Sequence, residues 1–188
     1  MPPDSASQIS DQELLQMVTL GDELAFQQLY QRYQLAIYNY VLRLIHQENA
    51  AEELLQDVFL AVWQGAKRFR NQSSVKTWIF RIAHFRAVSW LRKHHKARLI
   101  TEYSADMPLV SPEPSPEENL IDKAELTQVL AALETLSANH RAVIELTFAH
   151  GFAYQQIAEV MGCPVGTVKS RMSYALKYLN AELNQKNK

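Results

Sequence analysis

Residues 154–183 constrain the fold most, because they have the pattern of two helices joined by a tight turn. Gly162 suits the bend, since glycine adopts a positive φ at little steric cost. Pro164 suits the first turn of a second helix, where its missing N–H is not needed. Apolar residues then recur at three- and four-residue steps and predict a buried stripe of Val165, Val168, Met172, Ala175, Leu176, Leu179 and Leu183. The segment is therefore predicted to be a helix-turn-helix.

Polar residues on the second helix lie off this stripe and are the candidate DNA contacts. They are Thr167, Lys169, Ser170, Arg171, Tyr174 and Lys177. In a helix-turn-helix the second helix enters the major groove. Short side chains allow close approach there, while Lys and Arg supply donors for guanine and charge for phosphate. The alternative is an antiparallel helix pair in a bundle. It would require separate explanations for the glycine, the proline and the cationic first turns.

The charge of the chain is unevenly distributed. The net charge of the 188 residues is −1, which alone does not indicate a nucleic-acid-binding protein. Residues 67–98, however, contain ten Lys or Arg and no acid, whereas residues 99–125 contain seven acids and one base. Basic residues interleaved with aromatic ones suit melted nucleic acid, because cations follow phosphates and rings stack on exposed bases. For Trp78 and Phe85, a place in the core is the competing interpretation.

The first part of the chain indicates consecutive helices with cap signals between them. Residues 10–13, SDQE, have the form of a capping box and predict a short first helix. After Gly21 and Asp22, a longer helix is expected, whose core-facing residues are Leu24, Leu29, Tyr33, Ile37, Val41 and Leu44. Asn49 begins another cap signature, NAAE. The helix after it is expected to bury Leu54, Leu55, Val58, Phe59 and Val62 and to leave Glu52, Glu53, Gln56 and Asp57 on its other side. These acids also fit a merely solvated face near a helix N-terminus.

A fourth helix is predicted after a loop at residues 67–74, capped by Ser73 or Ser74 and reaching about His95. One apolar side is formed by Val75, Trp78, Ile79, Ile82 and Phe85, and Phe80, Ala87 and Leu91 lie nearly opposite. A helix that is apolar on two sides either packs against the protein on both sides or leaves some aromatic residues exposed to bind a partner.

The second part begins with a linker at residues 99–115, which is acidic, contains three prolines and has no helical period. Ser115 followed by Pro116 predicts a new helix. Ser137 is expected to cap the following helix, which should end at Gly151. Its core-facing residues are predicted to be Val143, Ile144, Leu146 and Phe148. The predicted fold class is all-α, with two small helical domains joined by a flexible acidic linker.

Several classes of function are excluded or disfavoured. The chain has no apolar run long enough for a transmembrane helix and no secretory signal at its start, so membrane insertion is not expected. Cys163 is the only cysteine, which fits a reducing cytoplasm and excludes a multi-cysteine zinc site. The histidines lack metal-ligand spacing and no phosphate-binding glycine loop is present. We therefore expect no enzyme activity, no cofactor, no metal and no small-molecule substrate.

These motifs, in their order along the chain, resemble bacterial RNA polymerase sigma factors of the extracytoplasmic-function type, group 4 of the sigma-70 family. The resemblance covers nearly all of residues 21–183. It is carried by AEELLQDVF at 51–59, TWI at 77–79 and, most specifically, VGTVKSR at 165–171. The sequence departs from the family pattern at four positions. Glu53 replaces a usual Asp, Phe85 a usual Asn and Ser89 a usual Asp. Ala153 replaces a Ser that commonly caps the first helix of the turn motif.

The resemblance implies a domain organisation and a function. It implies an N-terminal tail and short helix at 1–20, a region 2 domain at 21–98, the linker at 99–115 and a region 4 domain at 116–188. Such a protein binds core RNA polymerase and directs promoter-specific initiation. Region 2 would recognise and melt the minus-ten element, the linker would thread into the polymerase, and region 4 would bind the minus-thirty-five element. An anti-sigma factor would hold the protein inactive in the cytoplasm.

The resemblance also implies three sets of contact residues. The polymerase large subunit would bind through its clamp helices to Glu52, Glu53, Gln56, Asp57 and Leu60, and through its flap to region 4. The minus-ten element and its melted non-template strand would contact Arg68, Arg70, Asn71, Gln72, Lys76, Trp78, Arg81, Arg92 and Lys93, with one base extruded near Asn71 and Gln72. The double-stranded minus-thirty-five element would contact the six polar residues of the second helix of the turn motif.

One alternative explains part of these features. An ordinary helix-turn-helix regulator binds duplex DNA without core polymerase. It accounts for residues 154–183 but leaves both the acidic helix at 52–59 and the aromatic, cationic block without a role. For Cys163, a redox role is the alternative to that of a small packing residue in the turn.

Overall fold

The computed structural model describes residues 9–94, 132–133 and 135–186, and all regular structure within these ranges is helical. The helices are α1 (Asp11–Thr19), α2 (Glu23–Ile45), α3 (Glu48–Gly65), α4 (Val75–His94), α5 (Ala138–Ile144), α6 (Tyr154–Met161) and α7 (Val165–Lys186). A 3₁₀ turn (Ala66–Arg68) follows α3, and a π-helical turn (Glu145–Ala149) continues α5. The predicted all-α fold class is confirmed. The predicted linker and the helix predicted to start at Ser115 lie outside the described residues.

Contacts divide the chain into two units, Met1–Ala87 and Val88–Lys188, and the first is built on α2. The predicted capping box opens α1: Ser10 Oγ accepts the Glu13 N–H at 3.3 Å, and Glu13 Oε2 accepts the Ser10 N–H at 2.8 Å. Asp11 then joins α1 to α2, because its carboxylate forms an ion pair with Arg32 and accepts a hydrogen bond from the Tyr33 hydroxyl. Leu14, Leu15 and Val18 are buried as predicted.

Two predictions for α2 and α3 are wrong. Leu24 is 71% exposed, because the buried stripe of α2 begins at Ala25 and continues at four-residue steps through Leu29 and Tyr33. Asn49 does not cap α3, which starts at Glu48 without a side-chain cap hydrogen bond. The reason is that α2 ends at His46 in the left-handed conformation, with φ 56°, so the next helix restarts almost at once.

Helix α4 is capped by Ser74, whose Oγ accepts the Thr77 N–H at 3.0 Å. Its buried side is formed by Val75, Thr77, Ile79, Phe80, Ala83, His84 and Ala87. Phe85 lies on the opposite side and is 45% exposed, so the competing interpretation of its ring as a core residue is wrong. His84 is accommodated in the core because its Nδ1 lies 2.8 Å from the Tyr40 hydroxyl.

In the second unit, Ser137 caps α5 as predicted and accepts the His140 N–H at 3.4 Å. The buried Arg141 donates from Nε to the carbonyl of Leu133 and from Nη2 to that of Leu136, at 2.9 and 2.6 Å. Phe148 was expected to face inward but is 68% exposed. The π-helical turn explains this, because its wider turns shift the phase of the side chains after Ile144.

The predicted helix-turn-helix is present in α6 and α7. Gly162 adopts φ 64° and ψ 37° after α6, as the bend requires. Pro164 precedes α7, and its carbonyl accepts the N–H groups of Thr167 and Val168 at 2.9 and 3.2 Å. Val168, Met172, Ala175 and Leu179 form the buried stripe. Leu176 was predicted to belong to it but is 37% exposed at its edge. At Ala153 the side-chain cap is missing, but Gln156 Oε1 accepts the Ala153 N–H at 3.0 Å.

Candidate functional site

An acidic face runs along α3. All five residues predicted to contact the polymerase are exposed: Glu52, Glu53, Gln56, Asp57 and Leu60. Their spacing repeats at one-, four-, five- and eight-residue steps, which places them on one side of the helix, away from the buried Ala51, Val58 and Val62. The face therefore combines three carboxylates with one exposed leucine, 54% accessible.

The acidic face adjoins α4 through Asp57 and Arg86. Asp57 Oδ2 lies 3.9 Å from Arg86 Nη1, and both side chains are about half exposed. An ion pair of this length and exposure contributes little to stability. Asp57 therefore remains able to exchange Arg86 for a cation of a binding partner.

The loop between the 3₁₀ turn and α4 projects polar side chains into solvent. Arg68, Arg70, Asn71 and Gln72 are all exposed. Asn71 adopts φ 54°, a left-handed conformation that asparagine tolerates better than most residues, and it turns the chain at the tip of the loop. The structure thus brings together four of the residues predicted for the minus-ten element.

Trp78 supports this loop from the inside. Its half-buried indole lies against Phe69, with ring centroids 5.0 Å apart and an interplanar angle of 42°. The indole also covers Gly65 at the end of α3, where a Cβ would lie 3.1 Å from Cζ2. Trp78 was predicted as a DNA contact; the structure gives it a packing contact that connects α3, the loop and α4.

A cation and an aromatic ring meet on the exposed side of α4. The Arg81 guanidinium carbon lies 5.8 Å from the centroid of the Phe85 ring, within the range of a cation–π interaction. Arg81 is exposed, as are Arg92 and Lys93 at the end of the helix, while Lys76 in its first turn is partly covered. Phe85 was not among the predicted contacts. The sequence signals were its position in the block of basic and aromatic residues and the two apolar sides of α4, but the sequence did not decide which side the core takes.

The candidate recognition surface lies on the first turns of α7. Lys169, Ser170, Tyr174 and Lys177 are exposed, and Thr167 and Arg171 are partly exposed. Ser170 Oγ donates to the Thr167 carbonyl at 3.0 Å, which leaves a compact surface next to Lys169. All six predicted residues are thus on the solvent side of α7.

Two groups next to this surface, Cys163 and His140, have shifted pKa values. Arg171 Nη1 lies 3.8 Å from Cys163 Sγ in the turn. Burial raises the pKa of the Cys163 thiol, and Arg171 only partly opposes the rise, so the thiol is protonated at neutral pH. Burial, followed by the charge of Arg171, lowers the pKa of His140, so this imidazole is neutral at neutral pH. The sequence assigned no role to His140, whose ring stacks on Tyr174 in the structure.

The described residues contain neither a metal-binding cluster nor a membrane-spanning helix. Among them, no cluster of His, Cys, Asp and Glu has the arrangement of a metal site. No helix in the same ranges is long and apolar enough to span a membrane.

Comparison with known proteins gives matches in both units. The family model described as Sigma-70 region 2 matches residues 29–97, and that described as Sigma-70, region 4 matches residues 126–179. The chain is 30% identical to the RNA polymerase sigma-H factor of Pseudomonas aeruginosa, with 94% of this chain and 95% of that protein covered. It is 31% identical to the ECF RNA polymerase sigma-E factor of Escherichia coli (strain K12), with 89% and 91% covered.

Solved structures are similar over most of the chain. CnrH, in complex with the cytosolic domain of CnrY, gives a TM-score of 0.68 at 26% identity and covers 93% of this chain and 97% of that chain. The sigma factor RpoE from Bartonella quintana, in complex with the anti-sigma factor NepR, gives a TM-score of 0.63 at 30% identity, with 85% and 96% covered.

Proposed function

The chain belongs to the extracytoplasmic-function group of the sigma-70 family and is a promoter-directing sigma factor, and we propose which of its surfaces bind polymerase and promoter. An ordinary helix-turn-helix regulator is not favoured, because the region 2 match accounts for the acidic helix and the basic block that such a regulator leaves without a role.

The acidic face of α3 is the proposed binding site for the clamp helices of the polymerase large subunit. Leu60 offers an apolar anchor, and Glu52, Glu53 and Asp57 offer carboxylates around it, a combination common at protein interfaces. The weak Asp57–Arg86 pair supports this role, because it can be exchanged for an intermolecular pair at small cost. Region 4 would bind the polymerase flap.

The loop before α4 and the exposed side of α4 are the proposed minus-ten surface. The amides of Asn71 and Gln72 can both donate to and accept from the edge of an extruded base. Arg68, Arg70, Lys76, Arg81, Arg92 and Lys93 would follow the phosphates of the melted strand. Phe85 adds a ring for stacking. Trp78 would act mainly by holding the loop in shape.

The six polar residues of α7 are the proposed contacts to the duplex minus-thirty-five element. Lys169, Arg171 and Lys177 would supply phosphate and guanine contacts, and Thr167 and Ser170 would allow α7 to approach the base edges. Tyr174 would add a hydroxyl donor one turn beyond Arg171.

An anti-sigma factor is the proposed regulatory partner. The support is the solved complex of the similar sigma factor RpoE with the anti-sigma factor NepR. We further propose that the protein works in the cytoplasm and acts without catalysing a reaction of its own.

The observation that carries this division of roles is that α3 and α7 each present one exposed, mainly polar face, α3 within residues 52–60 and α7 within residues 167–177. Run-off transcription on a genomic promoter library with sigma-free core polymerase tests it. Promoter-specific transcripts that require the added protein are the expected result, and their start sites give the recognised elements. If transcripts were absent while duplex binding persisted in a gel shift, region 2 would have no role in initiation and the proposal would be wrong.

A further inference from the structure

His140 lies outside the recognition helix but contacts it directly. Its imidazole stacks on the Tyr174 ring, with centroids 4.5 Å apart and an interplanar angle of 24°. Tyr174 in turn lies parallel to Tyr178, one turn further along α7, at 6.4 Å and 14°. His140 therefore ends a column of three rings on the side of α7 that carries Arg171.

The imidazole is itself held in place from α5. Its Nδ1 lies 2.8 Å from Ser137 Oγ, the same atom that accepts the His140 main-chain N–H at 3.4 Å. The ring is thus tied to the cap of α5 and is partly buried. A neutral imidazole suits this position, and burial together with the nearby Arg171 charge lowers the pKa of His140 accordingly.

Tyr174 needs such support because it is 48% exposed. An exposed tyrosine loses side-chain freedom when it binds DNA, and this loss weakens the affinity. A ring stacked beneath it removes part of that freedom before binding. Stacked aromatic pairs also interact favourably beyond their buried area.

We propose that His140 is a positioning residue for promoter recognition, which holds Tyr174 in the orientation that presents its hydroxyl to the minus-thirty-five duplex. This inference rests on the proposed function, since Tyr174 must contact that duplex. It extends the recognition surface from α7 to α5 and assigns a role to a residue that is not expected to contact DNA itself.

A double-mutant cycle on the complete chain tests the inference. Holoenzyme is assembled from core polymerase and wild type, His140→Ala, Tyr174→Ala or the double variant. Its affinity is measured for a labelled promoter fragment recovered from the run-off library, and for the same fragment with a scrambled minus-thirty-five element. We expect His140→Ala to weaken binding to the intact fragment about three- to tenfold. We expect no further loss when Tyr174 is already alanine, and no effect of His140→Ala on the scrambled fragment.

Two conservative variants separate positioning from folding. His140→Phe keeps a ring beneath Tyr174 and should retain affinity within about twofold, whereas His140→Gln keeps a polar partner for Ser137 but no ring and should behave like His140→Ala. This comparison remains decisive if His140→Ala does not fold. Thermal unfolding of each variant, followed by circular dichroism, identifies any variant that loses affinity through misfolding.

The outcomes distinguish this inference from the proposed function. If Tyr174→Ala leaves affinity unchanged, the proposed recognition surface is wrong and the inference is overturned with it. If Tyr174→Ala weakens binding but His140→Ala does not, only the inference is overturned. Additive losses in the double variant, or equal losses in His140→Phe and His140→Gln, also overturn it.

Discussion

The indole of Trp78 covers the ring of Phe69 at a centroid distance of 5.0 Å and connects the end of α3 to the start of α4. The loop that carries Arg70, Asn71 and Gln72 lies between these two aromatic residues in the chain. The conformation of the proposed base-binding loop therefore depends on a packing contact inside the first unit.

Trp78→Ala is expected to lower the free energy of unfolding by about 2–3 kcal/mol, because it removes a half-buried indole and leaves a cavity beneath the loop. Urea unfolding of the complete chain measures this loss. Trp78→Phe should lose less than half as much free energy of unfolding as Trp78→Ala. Arg70→Ala, at an exposed position, serves as a control and should lose almost none. If Trp78→Ala reduced promoter melting but left the unfolding curve unchanged, Trp78 would be a DNA contact and not a support of the loop.

Charge neutralisation on α3 tests the proposed polymerase site. The pair Glu53→Gln and Asp57→Asn should weaken binding to core polymerase about tenfold, because both carboxylates lose their cationic partners in the complex. The unfolding midpoint should not change, since both side chains are exposed. The matched control is Gln28→Lys with Gln31→Lys, two exposed positions on α2 that give the same change in net charge. Equal losses in both pairs would point to a general charge effect and not to a site on α3.

Arg171 is expected to contribute one phosphate contact. Arg171→Ala should reduce promoter affinity and flatten the dependence of log affinity on log salt by about 0.9, the contribution of one neutralised phosphate. Arg171→Lys should keep the slope but lose affinity on promoters where a guanine is contacted, because lysine lacks the bidentate geometry. Titrations of holoenzyme at several salt concentrations give both values. An unchanged slope in Arg171→Ala would remove Arg171 from the contacts.

Local sequence signals predicted the parts of the fold that depend on a few adjacent residues. Ser10, Ser137 and Gly162 were identified as caps or bends because each acts on backbone groups within a few positions. The polar residues of α3 and α7 were identified for a related reason, since a helical period separates an exposed face from a buried one. Both faces of the candidate site were therefore predictable from the sequence.

Features that depend on distant packing could not be predicted in this way. The cap predicted at Asn49 failed because the left-handed end of α2 at His46 fixes where α3 starts. The inward position predicted for Phe148 failed because the π-helical turn alters the helical period. The stack of His140 on Tyr174 joins two helices that are far apart in sequence, and no local pattern indicates it.

Phe85 is the residue whose proposed role depends most on the structure, because only the structure shows that its ring is exposed. A phenylalanine that is 45% exposed, with a guanidinium near its ring, has the properties of a stacking platform for an unpaired base. Phe85→Ala should therefore slow promoter melting at least about fivefold, because one base–aromatic stack contributes roughly 1–3 kcal/mol. Permanganate reactivity of thymines in the melted region, followed over time with holoenzyme, measures the rate.

Two further variants define what the ring of Phe85 contributes. Phe85→Trp should preserve melting because it keeps a stacking surface, whereas Phe85→Asn should lose it. Leu35→Ala removes another exposed apolar side chain, on α2, and is expected to melt the promoter at the wild-type rate. Since Phe85 and Leu35 are both exposed, all four variants should unfold at nearly the wild-type temperature. Normal melting by Phe85→Ala would show that the exposed side of α4 acts through its cations alone, with Arg81 binding phosphate and not supporting a stacked base.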